Sequence, residues 1–162
     1  MLYIQFKIND LTSFEALKRV YNVLLEIKPK EESKPIEFWQ EMIPNYAKDF
    51  LGGYYEEEKA LSILIPASFT DTINYLEFGL EVDLEGLIQV DETNVRLDYS
   101  ALSFPYGGMD RLLIFLKAYD CIPYEAYTGF SVVKLYWTSA YDYEATELDE
   151  ETQLYRANGY RK

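Results

Sequence analysis

Between Glu81 and Glu92 the chain places oxygen-bearing side chains at the spacing of a helix-loop-helix calcium site. Such a loop wants oxygen ligands at its first, third and fifth positions, glycine at the sixth, a branched apolar residue at the eighth and glutamate at the twelfth. Those places hold Glu81, Asp83, Glu85, Gly86, Ile88 and Glu92. The departures are physical. Glutamate at the first position pushes an extra methylene into a tight turn, and Val82 and Leu84 fall where side chains should face water. Thr93 to Leu97 then favour a strand over a helix. An amphipathic strand with an acidic outer face accounts for the same letters, so a calcium-binding module stays a second alternative and no metal is assigned.

Ser131 and Lys134 reproduce the serine-lysine spacing of penicillin-recognising enzymes, in which a helical turn brings the two side chains together. The segment here alternates like a strand, and residues three apart on a strand point to opposite faces. Gly107-Gly108 could present amides to an anion at a helix start, but Asp110 would repel it and the rest of a phosphate loop is missing. The pair reads as a turn opening a helix, and Gly52-Gly53 reads as a helix stop. Asp142 and Glu144, with Trp39, Trp137, Tyr141 and Tyr143 available for stacking, hold the parts of a sugar-binding or glycosidase-type site. That chemistry needs two carboxylates about 5–10 Å apart across a cleft. The chain has no histidine and a single cysteine, Cys121. Imidazole general bases, Ser-His and Cys-His nucleophile pairs and cysteine-based zinc sites are therefore excluded. No catalytic residue and no cofactor is assigned.

Charge and tyrosine content point elsewhere. The net charge is −13, and 16 residues are tyrosine. A phosphate backbone needs a concentrated cationic surface, so neither nucleic acid nor an anionic membrane surface is an expected partner. Half of the 28 acidic residues fall in two segments, Asp71–Asp98 and Asp142–Glu151, with Arg96 the only base among them. Tyrosine stands beside acid repeatedly, as in Tyr141-Asp142-Tyr143-Glu144. Tyrosine supplies contact area at little entropic cost, and carboxylates steer a basic partner. The leading expectation is a non-enzymatic, Tyr-rich module that engages a basic protein, of the immunity or inhibitor type acting on a nuclease or toxin. Its binding residues would be Glu81, Asp83, Glu85, Tyr141, Asp142, Tyr143 and Glu144, merged into one patch if the fold brings both segments together. The alternative is a carboxylate- and tyrosine-based enzyme or small-ligand domain, carbohydrate included.

Positioning such a patch requires a folded frame, and the periods supply one. Met1 to Ile8 alternates as a strand and lacks the pattern of a secretory signal. No stretch approaches the roughly 18 apolar residues of a membrane span, and the lone cysteine gives no sign of an oxidising compartment, so a cytoplasmic location is expected. Thr12 to Glu15 reads as a capping box opening a helix whose stripe is Phe14, Leu17, Tyr21, Leu24 and Leu25. A second helix is expected through Phe38, Trp39 and Met42, interrupted at Pro44. A strand at Leu61–Ile65, a helix at Ser68–Phe78, a hairpin kinked at Gly86, a buried helix at Met109–Asp120, period-two segments between Phe130 and Thr146 and a last helix from Asp149 complete the pattern. The fold class is α+β: one domain over 1–162, with a mixed or antiparallel sheet of about five to six strands and three to five helices.

Overall fold

The computed structural model of the chain describes residues 1–61 (backbone alone from 55 to 61), 73–74, 76–77, 82–101 and 109–160. The described elements run β1 (Leu2–Ile8), α1 (Leu11–Ile27), a 3-10 turn (Lys28–Lys30), α2 (Ile36–Met42), α3 (Asn45–Leu61), β2 (Val82–Gln89) and β3 (Asn94–Ala101). They continue with α4 (Met109–Ala118), β4 (Cys121–Tyr127), β5 (Val132–Trp137), β6 (Tyr143–Glu147) and α5 (Asp149–Ala157). The strands form one antiparallel sheet in the order β2-β3-β1-β4-β5-β6, giving an α+β fold.

Strand alternation sorts the sheet into two faces. On β1, Ile4, Phe6 and Ile8 point into the main core, where Phe6 meets Phe14 of α1 with ring centroids 6.2 Å apart. Helices α1 and α4 cover that face, and Leu17, Leu24, Leu112, Phe115 and Leu116 meet Leu84, Leu87 and Leu97 there. Leu84 and Leu87 both reach the core because a bulge at Glu85, beside the expected kink at Gly86, shifts the register. On the opposite face Tyr3, Tyr127 and Tyr155 of α5 pack ring on ring, with Tyr3 to Tyr155 at 5.1 Å and Tyr127 to Tyr155 at 4.8 Å. Each hydroxyl donates outward: Tyr3 to Glu125, Tyr155 to the Met1 carbonyl and Tyr127 to the Gly129 carbonyl. Arg96 lies over the Tyr3 ring at 4.6 Å and pairs with Asp98 at 2.5 Å, both buried.

Several elements differ from expectation, each for a local reason. Helix α1 is capped two residues early by Asp10, whose carboxylate accepts from Ser13 N at 2.9 Å and Ser13 Oγ at 2.8 Å. Those bonds hold the Asp10 carboxyl below its ordinary range. The α1 stripe turns slightly, so Val20 and Ile27 are buried while Leu25 is exposed. Strand β4 has no period-two signature, because Pro123 interrupts it and a bulge at Tyr124 breaks its alternation against β1. Its partner β5 pairs only with Glu125–Tyr127, so Pro123 lies beyond that ladder. Helix α3 runs straight through Gly52-Gly53 and does not stop there. The expected strand at Leu61–Ile65 and the turn at Gly107-Gly108 lie outside the described residues, apart from Leu61 itself, which ends α3. Of the expected helix at Ser68–Phe78, four residues are described, and two of them, Ile73 and Leu76, are buried.

Two substitutions should move stability in opposite directions. Leu116→Ala should cost about 2–5 kcal/mol through lost burial and a residual cavity. Tyr119 is fully buried against Phe115 and Tyr46, and its hydroxyl has no partner among the described residues. Tyr119→Phe keeps the ring contacts and removes an unsatisfied group, so it should add about 1 kcal/mol. Urea titration checks both, and a loss on Tyr119→Phe would show that the hydroxyl is hydrogen-bonded.

Candidate functional site

Strands β5 and β6 build the site. Their register sets Val133 against Glu147, Leu135 against Ala145 and Trp137 against Tyr143. Trp137 and Tyr143 therefore share the face turned toward the helices, with centroids 5.2 Å apart, while Lys134, Tyr136 and Glu144 occupy the other. The connecting turn closes with Thr138 N donating to the Asp142 carbonyl at 2.9 Å. Ser139 braces it, its Oγ donating to Asp142 Oδ2 at 3.0 Å and accepting from Asp142 N at 3.1 Å.

The hairpin tip then leans on α3 and α4. The Tyr141 ring lies between Phe50, at 4.8 Å, and Tyr54, at 5.7 Å, and its hydroxyl donates to the Phe50 carbonyl at 2.8 Å. Gly53 sits beneath that hydroxyl, where a Cβ would collide with it. The glycine thus serves close approach inside a continuous helix. Tyr143 donates its hydroxyl to Asp110 in the first turn of α4. Burial, then that bond, raise the Tyr143 phenol above its ordinary value, so it stays a donor. From the last turn of α4, Lys117 Nζ donates to the Ala140 carbonyl at 2.6 Å and lies 3.8 Å from the Trp137 ring centroid.

Beside these contacts lies an open pocket of about 350 Å³ lined by Tyr54, Asp110, Ile114, Tyr141, Asp142 and Tyr143. Its size falls within the range of small-ligand pockets, and no lysine or arginine is among these lining residues. Three of the residues expected to bind a partner meet here. Glu144 does not line it, pointing instead to the outer face of β6 opposite Tyr136.

The remaining expected residues lie elsewhere. Asp83 and Glu85 are on β2, the opposite edge of the sheet, where they line a second pocket of about 310 Å³ with Leu24, Leu25, Lys28, Pro29 and Leu84. Glu85 accepts from Ser100 Oγ at 2.8 Å, and burial lowers the Lys28 ammonium with the Asp83 charge opposing it. Glu81 lies outside the described residues. Five strand spacings separate β2 from β6, roughly 24 Å at about 4.8 Å each. That exceeds the Debye length of about 8 Å, so the acids of β2 and those of β6 do not act as one patch.

Several of the acids have structural work instead. Glu77 is buried and accepts from the Trp39 indole and from Lys34 N, and Asp98 is paired with Arg96. Asp91 accepts from the Asn94 side-chain amide, at 2.9 Å on Oδ2, and from Thr93 N and Asn94 N, each at 2.9 Å, to close the β2-β3 turn, and these bonds, the Asn94 side chain's first, hold its carboxyl below the ordinary range. The calcium spacing is stretched along β2 and its turn, so Asp83, Glu85 and Glu92 do not converge. No group of metal-ligating side chains is present among the described residues.

No family model, curated protein or solved structure matches this chain. No helix among the described residues is long and apolar enough to cross a membrane. Tyr54 and Asp110 carry no sequence signal as pocket residues, because only the long-range docking of the hairpin brings them to Tyr141 and Tyr143.

The two α3 glycines separate propensity from fit. Gly52 has open space around its Cα, so Gly52→Ala should add about 0.5–1 kcal/mol by helix propensity alone. Gly53→Ala should lose that gain by displacing Tyr141 from the Phe50 carbonyl. Equal stabilisation by both in thermal or urea unfolding would show that the hairpin tip is not seated on α3.

Proposed function

We propose that this chain is a non-enzymatic binding module that captures a basic protein at the hairpin end of the sheet, in the manner of an immunity protein or inhibitor. The observation that carries the reading is the pocket itself. Tyr54, Tyr141 and Tyr143 give it aromatic walls, Asp110 and Asp142 give it negative charge, and none of its lining residues among the described ones is basic. Of the second acidic segment, Asp142 lines the pocket, while Glu144, Glu147, Asp149, Glu150 and Glu151 are exposed further along β6 and at the start of α5. Asp149, Glu150 and Glu151 also suit the first turn of α5, where the helix dipole favours negative charge. The arrangement combines steering carboxylates at the rim with rigid rings at the centre, the division of labour seen in tight interfaces. Both tyrosines are held by hydrogen bonds before any partner arrives, which lowers the ordering cost of binding.

The experiment is capture of basic proteins from a native lysate, followed by kinetics with whatever protein is retained. The supporting result is a partner of high isoelectric point whose association slows as salt rises. Its capture should be lost on Asp142→Lys with Glu144→Lys but kept on Asp83→Lys with Glu85→Lys, while all variants melt like the parent. Retention of no basic protein at low salt, or a partner indifferent to salt and to the hairpin reversal, would overturn the reading. Loss on the β2 reversal alone would move the interface to the other edge.

A further inference from the structure

Resting on that reading, we propose that the basic partner reaches this end of the sheet by adding an extended segment to the outer edge of β6. The backbone carries the argument. Leu148 N donates to the Val132 carbonyl at 2.8 Å, and Thr138 N donates to the Asp142 carbonyl at 2.9 Å. The register between them is unbroken, so the alternation of an antiparallel ladder makes Lys134–Thr146 and Tyr136–Glu144 the bonded pairs. The N–H and C=O groups of Tyr143, Ala145 and Glu147 therefore point away from β5. Among the described residues no strand lies beyond β6, and Glu144 to Glu147 are all exposed. Such a row of outward ladder groups is a template for one more strand. The opposite edge is a poorer template, because the bulge at Glu85 breaks the line of β2.

Charge selects the occupant. Glu144 and Glu147 are the only charged residues of β6, and residues three apart on a strand stand on opposite faces. An added strand thus meets one carboxylate on each face, and two basic residues three apart on it would each lie opposite a glutamate. Opposite charges directly across a sheet attract, and like charges repel. A second copy of this chain is disfavoured, since its own β6 brings two more glutamates and its net charge is −13. Acids on a short edge strand guard against self-pairing, but that guard does not oppose a basic segment. Between the glutamates Ala145 and Thr146 project only small side chains, so β6 itself leaves the approach open.

The test follows amide hydrogen exchange of the full chain by NMR. The probe is the blocked peptide Thr-Lys-Val-Thr-Arg-Val-Thr, and its control carries glutamate in place of lysine and arginine. In the free chain the Ala145 and Glu147 amides should exchange quickly, while those of Glu144 and Thr146 are protected by β5. Saturating basic peptide should slow Ala145 and Glu147 by at least about 10-fold, with far smaller changes at Glu144 and Thr146. The acidic control should give no such protection. Ala145→Pro removes an outward donor without touching the ladder to β5, so it should weaken the basic peptide several-fold with little change in melting temperature. Protection of Ala145 and Glu147 already present in the free chain, or absent with the basic peptide bound, would overturn the proposal. So would equal binding of the acidic control, or unchanged affinity in a folded Ala145→Pro variant. Protection that rises with the concentration of the chain alone would give the edge to a second copy and overturn the assignment to a basic partner. Capture of a basic protein that continues undiminished on Ala145→Pro overturns this inference and leaves the broader reading standing. Edge protection by the basic peptide with no basic protein captured does the reverse.

Discussion

The docking of the β5-β6 hairpin onto α3 and α4 is the contact on which the site depends. Three anchors hold it: the Tyr141 hydroxyl on the Phe50 carbonyl, the Tyr143 hydroxyl on Asp110, and Lys117 between the Ala140 carbonyl and the Trp137 ring. Each hydrogen bond contributes on the order of 1 kcal/mol net, so no single anchor would hold a hairpin against its conformational entropy. Together with the burial of Leu135 and Val133 they fix the tip relative to the helices. Gly53 makes the closest of these approaches possible by presenting no side chain to Tyr141. The pocket is a consequence of this seating, since its walls come from α3, α4 and the hairpin together.

Net charge alone gives a misleading picture of the surface. The segment from Asp71 to Asp98 looks like a solvated acidic face, yet Glu77 is an internal acceptor for Trp39 and Asp98 is neutralised by Arg96 beneath the Tyr3 ring. Asp91 and Asp10 organise a turn and a helix start. The segment from Asp142 to Glu151 is different. All of its acids are exposed, and Asp142 at its start lines the tyrosine pocket. The tyrosines divide in the same way. Tyr3, Tyr21, Tyr99, Tyr119, Tyr127 and Tyr155 are buried, while Tyr141 and Tyr143 are half-buried with ring surface still facing the pocket.

Where a single period ran unbroken, the sequence was legible. Strand β1, helices α1 and α4 and the β2-β3 hairpin follow from alternation or from helical stripes, and even the kink at Gly86 is visible. The faces of β5 and β6 follow too, because the turn between them preserves the parity of Trp137 and Tyr143. Legibility failed where tertiary contact overrode a local signal. Gly52-Gly53 carries the letters of a helix stop, but the contact with Tyr141 explains only why Gly53 is small, and the helix continues. Pro123 and the bulge at Tyr124 hide β4, a strand in the middle of the sheet. At the site, Tyr141, Asp142 and Tyr143 are adjacent in sequence and could be named together, whereas Tyr54 and Asp110 join them only through the folded chain.

The central claim is that the hairpin-end pocket, and not the β2 edge, meets basic ligands. Aromatic carbon-proton NMR of the tyrosine rings during titration with a short arginine-rich peptide addresses it directly. The account predicts saturable shifts of the Tyr54, Tyr141 and Tyr143 rings that fade as salt rises, with the buried Tyr3 and Tyr155 rings unmoved. Shifts confined to backbone amides of β2 around Asp83 and Glu85, or spread evenly over exposed tyrosines such as Tyr46 and Tyr136, would contradict it.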